Sequence, residues 1–229
     1  MKPGVLLVAH GSARDGPERV LASLANQLAP HVGETTIVSS FLDHSPLTPA
    51  RGLQVLAEAG YEHAIVIPLL LGAAYHLRED LPRQMGSALP TTITTHLGPN
   101  PKVVDALVGR LGPPPKRVVL VASGTKDSES LGETREAAQL LSKRLGIRVV
   151  PAYITAAAPD MRTVVAALRR QGTDEPVLLP YLLAAGRFSD TIVSVADELG
   201  LEHREVIGDH PAIAELALQR FAEGLATLT

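Results

Sequence analysis

His10, His76 and Asp43 are the residues of this chain whose types suit chemistry on a metal ion, two imidazoles and a carboxylate, each placed just beyond a short apolar run. His10 ends Val5-Leu-Leu-Val-Ala-His10 and precedes Gly11-Ser12, a small-residue turn whose backbone can come close to a ligand. His76 follows Leu71-Gly-Ala-Ala-Tyr75, and Asp43 closes Phe41-Leu-Asp43. Imidazole and carboxylate together suit a borderline divalent ion such as cobalt, iron, nickel or zinc, and without a thiolate the ion can be released as well as held. Near neutral pH the same imidazoles can accept a proton, since their ordinary pKa is about 6.5. Each position also has a plainer role. His10 can hydrogen-bond across its turn, His76 can be a solvated loop residue, and Asp43 or Ser45 can cap the next helix. On strand alternation His44 points away from Asp43, and His31, His63 and His96 read as surface or edge residues. Asp80 and Pro82 read as a helix cap and a helix-shaping residue beside His76.

The elements that must position these groups occur twice. Val5-Leu-Leu-Val-Ala-His-Gly-Ser12 returns as Val118-Val-Leu-Val-Ala-Ser-Gly-Thr125, with Ser123 in place of His10. Ile67-Pro-Leu-Leu-Leu71 returns as Leu179-Pro-Tyr-Leu-Leu183, with Phe188 in place of His76. Gly98-Pro-Asn-Pro101 and Gly208-Asp-His-Pro211 precede the last helix of each copy. Short apolar runs alternate with stretches of helical period, the pattern of parallel sheets flanked by helices. Strands are predicted at 3–9, 35–41, 64–71 and 91–96, then at 117–122, 148–154, 176–183 and 203–207. Helices are predicted at 17–29, 47–60, 78–88 and 101–111, then at 129–145, 160–171, 187–199 and 211–226. The expected fold is α/β, with two similar lobes that each hold a parallel four-stranded sheet. The prolines of Gly112-Pro-Pro-Pro-Lys116 place the lobes at 1–112 and 116–229. In such sheets ligands collect beyond the carboxyl ends of the strands, which is where His10, Asp43 and His76 fall.

Composition narrows the function. With 229 residues the chain can bury about 70% of its unfolded surface. Its longest apolar run, 64–75, is too short to span a membrane, and a five-residue apolar opening predicts neither signal nor transit peptide, so a cytoplasmic location is expected. The chain has no cysteine, which excludes disulfides, zinc-thiolate sites and iron-sulfur clusters. A net charge of -3 and an aromatic content of 3% argue against nucleic acid as a partner.

At these residues the chain resembles the sirohydrochlorin chelatase family, the class II chelatases. The resemblance is carried by Leu7-Val-Ala-His-Gly-Ser12 together with Pro68-Leu-Leu-Leu-Gly-Ala-Ala-Tyr-His-Leu-Arg-Glu-Asp-Leu-Pro82 and extends over both copies. It implies insertion of cobalt, iron or nickel, as a divalent substrate, into sirohydrochlorin for cobalamin or siroheme synthesis. It also implies no organic cofactor and a monomer of the long, two-lobed form. By that resemblance His10 and His76 bind the metal, and Asp43 stands where the family often has glutamate. Ser12, Arg187 and Phe188 are expected to contact the anionic tetrapyrrole, the last two from the second lobe as it closes over the ring. Ala74 replaces a frequent glycine. Two other readings compete. One is phosphoryl transfer in the manner of histidine phosphatases, which the absence of an arginine before His10 disfavours. The other is a two-lobed protein that binds a tetrapyrrole or metal without turnover.

Overall fold

Apolar runs without alternation set the centres of two sheets. Gly4–Ala9 forms strand β1 with every residue buried, and Val118–Ala122 forms β5 in the same way. A strand buried on both faces belongs inside a parallel sheet covered by helices. The structure, a computed structural model, describes residues 2–72, 76–113, 115–172 and 174–228, with the side chains of His76 and Arg78 outside that description. It divides into two units, Met1–Leu97 with Pro211–Thr229, and Gly98–His210.

In the first unit β1 pairs in parallel with β2 (Ile37–Phe41) and β3 (Ala64–Pro68), and β4 (Thr91–Ile93) adds beyond β3, in the order β2-β1-β3-β4. Register sets Ala9 against Phe41 and Val8 against Pro68, so three carboxyl ends finish side by side. Helix α1 (Gly16–Leu28) carries a proline in its first turn. Helix α2 (Pro49–Glu58) is capped by Thr48, whose Oγ1 accepts the Arg51 N–H at 3.3 Å. Thr48 thus does what was expected of Asp43 or Ser45, and the Ser45 Oγ instead accepts the Leu47 N–H at 3.2 Å. The helix expected over 78–88 is a π-helical turn, His76–Asp80, running into the short α3 (Leu81–Gln84). Asp80 has helical backbone angles and makes no capping bond. Gly86, at φ +64°, follows the end of this run.

In the second unit the order is β6 (Val149–Tyr153), β5, β7 (Val177–Pro180), again parallel. Its helices are α4 (Pro101–Leu111), α5 (Ser128–Leu145), α6 (Met161–Arg170) and α7 (Arg187–Leu199). Asp127 and Asp160 cap α5 and α6 by accepting the N–H of Ser130 at 2.9 Å and of Thr163 at 3.0 Å. The four-stranded expectation is corrected here: among the described residues this sheet has three strands, and 203–207 contributes one isolated bridge between His203 and Leu178. Beyond that bridge the Ile207 and Gly208 N–H groups donate to Leu182 and Leu183, past the end of β7, so no ladder is built.

The unit boundaries also differ from the sequence copies, because each copy's last helix belongs to the other unit. Helix α4 packs on α5. Its end is clamped there by the Arg204 Nε, which donates to the Leu111 carbonyl at 3.0 Å, and by the Arg110 Nε, which donates to the Ile207 carbonyl at 2.9 Å. Helix α8 (Pro211–Ala226) packs instead on α1 and β3. The proline segment is therefore a connection inside the second unit, and the chain changes units at Leu97/Gly98 and His210/Pro211.

Close contact of α8 with the first sheet depends on Gly224. A Cβ there would lie 2.7 Å from the Ile65 Cγ2 and 3.1 Å from the Thr94 Cγ2. Alanine gains about 1 kcal/mol of helix propensity, but overpacking against a buried, β-branched side chain costs about 1–3 kcal/mol. Gly224→Ala is therefore expected to destabilise the protein by about 1 kcal/mol net in urea denaturation. A raised midpoint would contradict the packing described.

Candidate functional site

His10 is the first residue past β1 and is exposed, whereas the six strand residues before it are buried. The ladder continues one step beyond the strands. The Leu42 N–H donates to the Ala9 carbonyl at 3.0 Å, the Asp43 N–H to the His10 carbonyl at 2.8 Å, and the Leu69 N–H to the Val8 carbonyl at 2.7 Å. His10 and Asp43 are thus joined through their backbones at adjacent strand ends. Gly11 makes this approach possible. Its φ is +95°, and a Cβ there would collide with the Asp43 carbonyl oxygen. The Ser12 Oγ accepts the Arg14 N–H at 3.2 Å, which shapes the turn toward α1.

Asp43 does not stand alone. Its Oδ1 accepts the His44 N–H at 2.8 Å, and its Oδ2 lies 3.3 Å from the His44 Nε2. His44, expected to point away, folds back onto Asp43 because its φ is +58° and strand alternation has already ended. The loop that carries both is closed on itself by the Phe41 N–H, which donates to the Leu47 carbonyl at 2.8 Å.

His76 begins the π-helical turn after β3, and its side chain lies outside the described residues, as do Ala74 and Tyr75 altogether. Among the described residues no group of three or more His, Asp or Glu side chains converges to hold a metal. In the second unit Arg187 and Phe188 open α7, both exposed, after Gly186, whose N–H donates to the Ser189 Oγ at 2.9 Å. The His63 Nε2 lies 3.0 Å from the Thr92 Oγ1 between β3 and β4, and the His96 carbonyl accepts two bonds from the Arg220 guanidinium. His31 ends an exposed 3-10 turn.

The second copy repeats the same backbone with other side chains. The Ile154 and Thr155 N–H groups donate to Ala122 and Ser123 at 3.0 and 2.9 Å, and the Tyr181 N–H donates to Val121 at 2.7 Å. Gly124 has φ +90° and would likewise clash with the Thr155 carbonyl, and Ala156 has φ +54°. His10, Asp43 and His44 are thereby matched by Ser123, Thr155 and Ala156. Burial pushes the Tyr181 phenol up from its ordinary value, with Glu133 and Glu136 adding to the effect, so this group stays neutral at physiological pH.

Comparison with known proteins agrees with the duplication. The CbiX family model matches twice, over residues 4–113 and 117–224. The chain is 27% identical over 243 residues to a sirohydrochlorin ferrochelatase of Bacillus subtilis (strain 168), covering 99% of this chain and 93% of that protein. It is 30% identical over 120 residues to a sirohydrochlorin cobaltochelatase of Saccharolobus solfataricus, covering 47% of this chain and 92% of that one. Among solved structures it is similar to SirB from Bacillus subtilis with Fe3+, at a TM-score of 0.84 and 26% identity, over 98% of this chain and 96% of that chain.

Proposed function

The chain belongs to the CbiX family along both of its copies, and on that footing we propose that it inserts a divalent metal ion, iron or cobalt, into sirohydrochlorin. It is an enzyme, a chelatase. Insertion requires the ion to lose water, two pyrrole N–H protons to leave, and the macrocycle to bend so that its nitrogens face the ion. In this reading neutral His10 and His76 bind the ion and replace part of its hydration, leaving positions open for the ring nitrogens. As the ring nitrogens take over the ion, the freed imidazoles accept the departing protons. The Asp43 carboxylate, carried on the loop whose Asp43 N–H donates to the His10 carbonyl, neutralises the ion's charge during the exchange. Ser12 shapes the turn that faces the macrocycle, Arg187 pairs with a peripheral carboxylate, and Phe188 lies against the ring face. The enzyme works as a cytoplasmic monomer and needs no organic cofactor. Among the described residues no helix is long and apolar enough to cross a membrane.

The observation that most directly supports these roles is the contrast between copies. One duplicated turn carries His10 and Asp43 where the other carries Ser123 and Thr155, on backbones bonded in the same pattern. Sirohydrochlorin offered with Co2+, Fe2+ or Ni2+ separately, and followed by absorbance, tests the reading. The expected result is metal-dependent conversion above the spontaneous rate with Co2+ or Fe2+. Tetrapyrrole binding with no acceleration by any ion would overturn it, as would hydrolysis of an aryl phosphate without metallation.

A further inference from the structure

We propose that a groove between α5 and β6 in the second unit is an accessory site for a polycarboxylated tetrapyrrole, held by Arg135, Lys143 and Arg148. The inference rests on the chelatase reading for the identity of its occupant. The groove itself shares no residue with the proposed catalytic site.

The sequence of the two elements creates the groove. Val150, Ala152 and Ile154 pack into the core shared with α6 and α7, so alternation turns Val149, Pro151 and Tyr153 to the opposite face, where α5 packs. On the helix side the wall is made of Ala138, Ser142 and Gly146, short residues at four-residue spacing. A cavity of about 710 Å³ is left between them, within the roughly 300–1,000 Å³ of pockets that take organic ligands.

Its lining carries three cations and no carboxylate. Arg135, Lys143 and Arg148 have no ion-pair partner among the described residues, whereas the adjacent Arg144 is paired with Asp105 at 3.4 Å. Arg135 and Lys143 stand just over two turns apart on α5, about 12 Å along its axis. That separation suits acidic groups on opposite edges of one molecule better than a single small anion. Ile147, Val149 and Pro151 offer apolar surface to the body of such a molecule. The groove also takes in the C-terminal end of α5, the end of the helix dipole that repels multiply charged phosphate. Carboxylates spread over an apolar frame are the chemistry that fits, and the tetrapyrrole of the proposed reaction has it.

The first copy lacks these features. Counting from the matched turns at Gly33 and Gly146, Arg135 corresponds to Ala22 and Lys143 to Pro30. Tyr153, the last residue of β6, corresponds to Phe41, the last of β2. Tyr153 is buried, and its Oη has no hydrogen-bond partner among the described residues. The Arg135 guanidinium lies near enough to oppose the rise in pKa that burial gives this phenol. Phenylalanine would bury no unpaired hydroxyl there. The second copy has thus gained polar groups around this groove, as the first has around His10.

The test uses the full-length protein without metal ion. Sirohydrochlorin is titrated at low salt into wild type and into the Arg135→Gln/Lys143→Gln/Arg148→Gln variant, and bound tetrapyrrole is counted by ultrafiltration and absorbance. The three side chains are exposed, so the variant should fold. Two molecules per chain are expected in wild type, and in the variant the second should bind about 10-fold or more weakly, the scale for loss of charge-assisted contacts. Metallation by the variant at saturating sirohydrochlorin and Co2+ should stay within about twofold of wild type. Identical stoichiometry and affinity in the two proteins would overturn the proposal, even with turnover intact. Loss of the only bound tetrapyrrole together with turnover would place the groove in the catalytic site and would also overturn it. So would a single tetrapyrrole site in both proteins with ATP binding that only the variant loses, since the groove would then serve phosphates. Absence of metallation by wild type would instead defeat the reading beneath it, and the same titration with octacarboxylic uroporphyrin tests the groove in that case.

Discussion

Metallation by the His10→Ala variant is expected to fall about 100-fold or more below wild type at saturating Co2+, while its melting temperature stays near the wild-type value. The size of the effect follows from the two tasks assigned to one ring. Loss of a group that merely supports a metal ligand weakens such sites about 10–100-fold, and loss of a positioned proton acceptor costs about 10²–10⁴. Stability should be largely spared because His10 is exposed and its carbonyl, which accepts the Asp43 N–H, is retained by alanine. The molecule also supplies its own control. Ser123 occupies the equivalent place in the second copy on the same backbone, so His10→Ser should be equally inactive and equally stable. Steady-state absorbance assays and thermal denaturation of the two variants check this, and wild-type turnover in either one would remove His10 from the mechanism.

Gly11→Ala should damage both stability and turnover. At φ +95° an L-residue is strained by about 1–2 kcal/mol, and the new Cβ meets the Asp43 carbonyl oxygen, which is backbone and cannot swing aside. Overpacking of this kind adds about 1–3 kcal/mol, so a total of about 2–5 kcal/mol is expected in urea denaturation. Because the obstructing atom belongs to Asp43, relief of the clash must part the two strand ends that carry His10 and Asp43. Gly124→Ala meets the same obstacle at Thr155 and should cost similar stability. Turnover per folded molecule should nevertheless fall far more in Gly11→Ala. Equal losses in the two variants would mean that the spacing of His10 and Asp43 does not matter to the chemistry.

The sequence was most readable where local and tertiary demands agree. Helices α4, α7 and α8 occupy the predicted residues 101–111, 187–199 and 211–226, because a proline or a small residue marks each start and the apolar period runs to each end. Strands β1 and β5 were equally plain as unbroken buried runs. The direction of His44 was not readable, since alternation holds only while the chain is extended and φ turns positive there. The cap of α2 was misplaced because several oxygen-bearing residues compete ahead of it, and only the fold selects Thr48. The fourth strand of the second copy failed because its residues, His203-Arg-Glu-Val-Ile207, find no ladder partner beyond Leu178. Which unit receives α4 and which receives α8 could not be read at all. Two similar copies offer similar apolar faces, and no local pattern distinguishes them.

That exchange dictates an order of events on the ribosome. Everything from Gly98 to His210 is contiguous and can close as soon as it has emerged. The portion synthesised before it still lacks the helix that covers β3 and α1, which follows the second unit in the chain. The unit that bears His10 and Asp43 is thus begun before the other and finished after it, and until then it has exposed apolar surface that chaperones would recognise.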